Sequence, residues 1–261
     1  MSLSPDAFCP RCFAALPLEA EDCGACGLTF VWDGGVLDVL GPLEREPDAA
    51  RVEEFYEASP FPGYAPDEDA ASLLDRSRRS PFLVALDRAV PTHGRFLDVG
   101  CGTAQVPAFL ALAASRRRVV AVDGCRASLR VASEFARSVS LSNLQLVRAD
   151  LFDLPLEPGS FDVVSCRGVV HHTPDPYRAM TCVARCVAPG GVLLLGFYEN
   201  LARAWHRARC RIATLRGGIP LAALDPVLRR TDIDPERRRI WIEDQYHHPL
   251  EHTLPLPRVW A

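Results

Sequence analysis

The chain has 261 residues with 48% hydrophobic and 24% charged side chains, enough for one large domain or for a medium domain with a small appendage, and an ordinary globular balance. Its formal net charge of -4 argues against a broad non-specific nucleic-acid surface. All 29 basic residues are Arg, which excludes Schiff-base lysines and the phosphate-loop lysine.

The N-terminus, MSLSPDAFCP, has neither a basic start nor an apolar h-region, so a cytoplasmic protein is expected. The longest apolar runs, such as GGVLLLGF at 190–197, have strand length, so no bilayer span and no membrane partner are expected. Ten cysteines point to metal ligands, reactive thiols or small buried residues rather than disulfides. Four of them form two Cys-x-x-Cys pairs, Cys9 with Cys12 and Cys23 with Cys26. Two such knuckles offer four thiolates to a tetrahedral Zn2+, a closed structural site with no open position. Two unrelated pairs, or one redox pair, would not account for both. A forty-residue module has too small a core to fold alone, so the metal would drive its folding.

LTFVWDGGVLDVL, 28–40, reads as two short strands around Asp33-Gly34-Gly35. GPLEREPD at 41–48 reads as a linker. A helix is expected from about residue 49, then a proline-rich break, SPFPGYAP at 59–66, and a second helix over about 67–90. Strands are expected at 95–100, 118–123, 144–150, 161–166 and 191–198, with helices near 105–115, 125–139 and 175–188. Strand–helix alternation with near-continuous apolar strands indicates a doubly wound, mostly parallel α/β sheet covered on both faces. Past Tyr198 a helix ending at Gly217-Gly218 is followed by a Pro-, His- and Arg-rich stretch with at most short helices. Cys101, Cys125, Cys166, Cys182 and Cys186 are expected as small buried residues. The tail residues His206, His247, His248, His252, Glu243, Asp244 and Glu251 have irregular spacing, so a substrate-covering segment is preferred there over a second metal site.

RFLDVGCGTAQ, 95–105, runs a buried strand into Gly100 and Gly102. Ligands of open parallel sheets bind at the carboxyl ends of the strands. Glycines there let the backbone approach a ligand and take positive φ. Asp123 ends the next strand, 21 residues after Gly102, where a carboxylate suits ribose hydroxyls. The ligand thus contains a nucleoside. The dinucleotide fingerprint would need a glycine at the position of Gln105, whereas Asp98 and Asp150 supply the two further carboxylates that a methionine-linked adenosine calls for.

LDVGCGTA, VVAVDG, RADLFDLPLEPGSFDVVSC and CVAPGGVLLL occur in order, and this set resembles the class I S-adenosylmethionine-dependent methyltransferases, above all the ubiquinone- and menaquinone-type enzymes. The resemblance covers roughly residues 90–198. It implies a Rossmann-like methyltransferase fold. It implies a cofactor site of Asp98, Gly100, Gly102, Asp123, Gly124, Asp150 and Leu151: glycines along the amino-acid part, Asp123 on both ribose hydroxyls, Asp150 on the adenine amine and the Leu151 backbone beside the ring. The N-terminal module resembles the zinc ribbon of some ribosomal RNA guanine methyltransferases, in which it helps recognise RNA, but here it is acidic around LEAED.

Methyl transfer from a sulfonium is largely a matter of positioning, with a base needed only where the acceptor must lose a proton. His171 and His172, just past the fourth core strand, are the candidate catalytic residues. SPFPGY reads as a lid, with Phe61 or Tyr64 near the sulfonium or the substrate. The expected organisation is a zinc ribbon at 1–40, a linker and helices with the lid at 41–92, the S-adenosylmethionine-binding domain at 93–198 and a substrate-covering segment at 199–261. The expected acceptor is a small molecule or metabolite, with RNA, or a non-catalytic binding role, as alternatives. The sixth strand and antiparallel seventh strand usual in such enzymes are not legible after Tyr198, which would leave an open sheet edge.

Overall fold

A computed structural model describes residues 7–17, 20–40, 47–58, 60–65, 67–215, 225–229 and 235–259. Its frame is a seven-stranded sheet in the order β1-β2-β5-β4-β3-β6-β7. The five apolar segments become β3 (Arg95–Val99), β4 (Arg118–Asp123), β5 (Leu144–Arg148), β6 (Phe161–Arg167) and β7 (Val187–Gly196), all parallel to their neighbours. The strand read as starting at 191 begins four residues earlier, with a register irregularity between Phe161 and Val163 of β6.

The other two strands come from the cysteine-rich end. β1 (Val31–Asp33) and β2 (Val36–Asp38) form a hairpin whose Gly34 and Gly35 both have positive φ, as a tight primed turn requires. β2 then pairs in parallel with β5, Val36 opposite Leu146 and Asp38 opposite Arg148. The hairpin therefore extends the main sheet. On the far side, among the described residues, β7 has no strand neighbour beyond β6, and only an isolated parallel bridge joins Glu199 to Leu254.

One face of the sheet is covered by helices: α3 (Pro81–Ala89), α4 (Gln105–Ala113) and α5 (Arg126–Ser138). Their Leu86, Phe109, Leu110, Leu129 and Ala132 pack on Phe96, Val119, Ala121, Leu146 and Val163. α1 (Pro47–Ala58) lies against α5, where Glu57 accepts from the Arg126 and Ala127 amides and so caps that helix. The single helix expected over 67–90 is two, α2 (Ala70–Arg78) and α3. Pro81 has no N–H and pushes Ser80 out of the helical region, to φ -88° and ψ 115°, where its hydroxyl caps α3 through the Leu83 amide.

The second face carries α6 (Pro176–Ala184) over Val164 and Cys166. The β5–β6 connection, 149–160, is all turn and leaves Leu97, Val99, Val120, Val122 and Val147 without a crossover helix. The cysteine-rich module fills that space: Phe8, Cys9, Leu16, Leu28, Phe30 and Leu37 belong to the same buried cluster. Its aromatic rings reach the N-terminal ends of the strands, Phe13 edge-on to Phe161 with Arg95 over it and Arg118 over Phe8. Past the sheet come α7 (Ala204–Leu215), α8 (Pro235–Tyr246) and the short α9 (Leu256–Val259). α8 has three turns, longer than its Pro- and Arg-rich sequence suggests.

Because module and sheet share one core, Leu37→Ala, at a fully buried site, is expected to lower the stability of the whole chain by about 3 kcal/mol in a single melting transition. A separate early transition for the module, with the main one unmoved, would contradict a shared core.

Candidate cofactor crevice and metal centre

The glycine turn follows from the end of β3. Gly100 and Gly102 have φ of +71° and +54°. A Cβ on Gly100 would meet the Val169 side chain at 2.2 Å, and one on Gly102 the Phe61 carbonyl oxygen at 2.2 Å. Both positions thus require glycine for backbone conformation and for space. Ala104, where a third glycine is frequent, is held left-handed at φ +56° and begins α4.

Asp123 closes the turn from the next strand. Its Oδ2 accepts from the Gly102 amide at 2.7 Å and its Oδ1 from the Cys125 amide at 2.8 Å. Each oxygen keeps a lone pair for a further donor. Burial raises its pKa, against the opposing effect of those amides. Asp98, buried beneath the turn, is pushed up to about 6 by loss of water, with Arg167 and the Ser165 hydroxyl pulling the other way. A buried carboxylate so destabilised favours a cationic partner. Asp150 follows β5, is exposed, and accepts from the Phe152 amide through one oxygen. Leu151 beside it is half-buried, and the Gly124 carbonyl accepts from Arg148 Nε at 3.0 Å. The structure thus gathers Asp98, Gly100, Gly102, Asp123, Gly124, Asp150 and Leu151 at the carboxyl ends of three adjacent strands. The donor set fits S-adenosylmethionine: a buried anion for the ammonium, a strand-end carboxylate for the diol and a third carboxylate for the adenine amine.

The proline-rich segment lies on the glycine turn. The Thr103 amide donates to the Phe61 carbonyl, the Thr103 hydroxyl to that of Pro62, and Gln105 Nε2 to that of Gly63 at 2.8 Å. Arg76 ties Gln105 to Glu68. Thr103 and Gln105 thus anchor the proline-rich segment to the turn, a role that spacing arguments miss. Tyr64 does not face the crevice. It stacks on Phe135 of α5 at 4.1 Å, and burial raises the pKa of its unpartnered hydroxyl.

His171 and His172 form a 3-10 turn after β6. His171 is 1% exposed, with neither ring nitrogen hydrogen-bonded. It packs between His172 and Tyr198, and burial, then the neighbouring His172 and Arg203, depress its pKa to about 2. His171 is therefore a neutral ring. His172 stacks on His248 at 3.6 Å, and its Nδ1 lies 2.7 Å from the Leu250 carbonyl. That contact requires an Nδ1–H donor, so the lone pair sits on Nε2. The tail straps this corner. The His252 amide donates to the His171 carbonyl and the Leu254 amide to that of Tyr198, while Arg203 grips Glu251 through both terminal contacts at 2.6 and 3.1 Å. His248 also touches Phe55 and Tyr56 of α1.

The four N-terminal thiols lie within 4.8 Å of one another, with Cys9 to Cys26 and Cys12 to Cys23 each 3.6 Å apart. Thiolates 2.3 Å from a tetrahedral zinc sit about 3.8 Å apart. The set fits that ion. Among the described residues no other His, Cys or carboxylate group gathers in this way, the tail histidines included. Cys182 and Cys186 point to the backbone carbonyls of Phe152 and Cys182, as small half-buried and buried residues.

Residues 97–195 match the methyltransferase domain family. In fold and motif order this part of the chain is similar to the class I S-adenosylmethionine-dependent methyltransferases. The chain is 33% identical over 139 residues to a ubiquinone biosynthesis O-methyltransferase of Paracidovorax citrulli, covering 52% of this chain and 57% of that protein. It is 34% identical over 173 residues to an uncharacterized protein of Synechococcus sp., covering 64% of this chain and 41% of the relative. The YcgJ protein from Bacillus subtilis, of solved structure, is 28% identical and superposes with a TM-score of 0.42 over 49% of this chain and 58% of its own. The chain spans about half the length of the curated relatives it matches. No helix among the described residues is long and apolar enough to cross a membrane.

Two outcomes follow. Asp98 must be ionised to hold an ammonium, so S-adenosylmethionine affinity should rise with pH through about 6 and fall up to about tenfold per unit below it, with proton release at pH 6. Calorimetry in buffers of different ionisation enthalpy reads both, and a pH-independent affinity would remove Asp98 from the site. Chelation of the metal, or Cys9→Ser, should lower the melting temperature of the whole chain by more than about 10 °C; an unchanged transition would leave the thiols without a structural ion.

Proposed function

We propose that the chain is an S-adenosylmethionine-dependent methyltransferase acting on a small-molecule acceptor, with a structural zinc in its N-terminal module. The observation that carries this is the set of three carboxylates, Asp98, Asp123 and Asp150, around a glycine turn at the carboxyl ends of β3, β4 and β5. Bound there, S-adenosylmethionine supplies a methyl group on a sulfonium, which leaves as a neutral thioether. Asp98 holds the ammonium and Asp123 the ribose hydroxyls. Asp150 accepts from the adenine amine, with the Leu151 backbone beside the ring. Thr103 and Gln105 hold the lid against the turn and exclude water. His172, whose Nδ1–H is committed to Leu250, takes the acceptor's proton at Nε2. Neutral, buried His171 packs beneath it and fixes its ring, a positioning role rather than a second base.

The placement of the cysteine module supports a small acceptor over RNA. Its Phe8 and Phe13 end packs at the N-terminal ends of the strands, about 16 Å of strand away from the crevice, while its hairpin reaches the crevice side with Asp33 and Asp38, which are paired with Arg126 and Arg148. Its Phe8 and Phe13 rings face Arg118 and Arg95 rather than solvent bases. The Paracidovorax relative, a ubiquinone biosynthesis O-methyltransferase, agrees with a small acceptor.

Calorimetric titration with S-adenosylmethionine tests the reading. Asp123→Ala removes two charge-assisted bonds to the ribose and should weaken binding roughly a hundredfold. Its melting temperature must be followed, because the same carboxylate braces Gly102 and Cys125. A folded, zinc-loaded wild type that takes up no S-adenosylmethionine would overturn the enzyme reading and leave a binding or scaffold role.

A further inference from the structure

α7 is built inside out. Its inward side is polar. Arg203, just before the helix, is buried over the Tyr198 ring at 3.7 Å and bonded to Glu251 and Gln245. His206 Nε2 meets the Gln245 carbonyl at 2.8 Å, and Cys210 lies against His206. The outward side is apolar: Leu201 in the leading turn is 81% exposed, Trp205 80% and Ile212 44%. These positions recur at helical spacing on one face, with Ala208 between them. A water-facing helix of a globular protein has the reverse arrangement.

The charges on the helix itself are of one sign, and the Glu199 carboxylate beside the stripe is committed to the Leu201 and Ala202 amides. α7 contains no Asp or Glu, and its exposed arginines are Arg211 and Arg207, the latter also donating to the Thr253 hydroxyl and the Asn200 carbonyl. Exposed tryptophan and aliphatic side chains rimmed by arginine match the interface of an anionic bilayer, where the apolar side enters the acyl boundary and the cations meet phosphates. A protein partner fits less well. Three large side chains on one helix offer roughly 400 Å², about half of what a standard interface uses per partner.

We propose that the α7 face, Leu201, Trp205 and Ile212 with Arg207 and Arg211, docks the protein on the surface of an anionic phospholipid membrane. The helix lies in the interface and does not span. The sequence-based expectation of no membrane partner rested on the absence of a spanning segment, which a peripheral helix does not need. The proposal is independent of methyl transfer, so it stands or falls apart from the activity.

The test is co-sedimentation of the full chain with vesicles of phosphatidylcholine alone and of phosphatidylcholine mixed with phosphatidylglycerol. Binding is expected to the mixed vesicles, to weaken with salt, and to fall more than about tenfold in Trp205→Glu/Ile212→Glu, since two large apolar side chains leave the acyl phase. Arg211→Glu should weaken binding to the mixed vesicles only. Quenching of wild-type tryptophan by brominated lipid chains, absent in Trp205→Phe, reads the insertion directly and needs no charged variant. Failure of the wild type to bind phosphatidylglycerol vesicles, or equal binding by the double variant, would overturn the proposal. So would a wild-type dimer in light scattering that the double variant turns into a monomer, because a second copy would then cover the stripe.

Discussion

A parallel sheet must be covered on both faces, and in this chain one face lacks a crossover helix. Residues 149–160 join β5 to β6 through turns alone, too short a path to lay a helix over Leu97, Val99, Val120, Val122 and Val147. Those side chains left in water would forfeit about 1.5 to 3 kcal/mol each. The cysteine module supplies the missing cover. It has little regular structure of its own, so a four-thiolate site is a means of holding its apolar side chains in one arrangement. The four clustered thiols and the sheet core are parts of one packing problem, which is why the module sits flush on the fold rather than at the end of a tether.

The same module reaches the cofactor crevice through charge. Arg148, the last residue of β5 and largely buried, bonds Asp38 of the hairpin at 3.0 Å, Glu53 of α1 at 2.9 Å and the Gly124 carbonyl at 3.0 Å. Arg126 adds contacts to Asp33 and Asp38 from the first turn of α5. A buried arginine with two carboxylates and a carbonyl has its donors matched, and removal of any one partner would strand a charge. This network fixes the backbone beside Asp123 relative to the hairpin. The cysteine module and the backbone beside Asp123 are thereby coupled through Arg148.

The central strands and the glycine turn were legible because each is set by local chemistry: apolar runs of strand length, glycines where φ must be positive, aspartates at strand ends. The Ser80-Pro81 break between helices was also written in the sequence, yet an unbroken helix is the simpler reading of its apolar spacing. Other features were not local. Nothing in VLDVL says that it will pair with LQLVR more than a hundred residues later. The burial of His171 depends on Tyr198 and on the tail segment folding back over it. Thr103 and Gln105 look like ordinary turn residues until the carbonyls of Phe61, Pro62 and Gly63 are placed above them. α7 reads as an amphipathic helix from its spacing, and only its packing reveals which side is turned inward.

That inversion has a physical origin in the sheet's open edge. Class I domains ordinarily continue past the strand that is β7 here with further strands, whereas the described residues of this chain place α7, α8 and the 248–254 segment in that region instead. A helix set beside the crevice corner must satisfy the polar groups gathered there, namely the Glu251 carboxylate and the side-chain and backbone carbonyls of Gln245. Arg203 and His206 do so, and they can only do so from the inward side. With that side committed to polar partners, the helix has no apolar face left for the core, and Leu201, Trp205 and Ile212 have no place but the outside. An outward apolar stripe is stable only where something other than water meets it, and the constraint that creates it also sets its location, on the outer wall of the corner built by Tyr198, His171 and the tail segment.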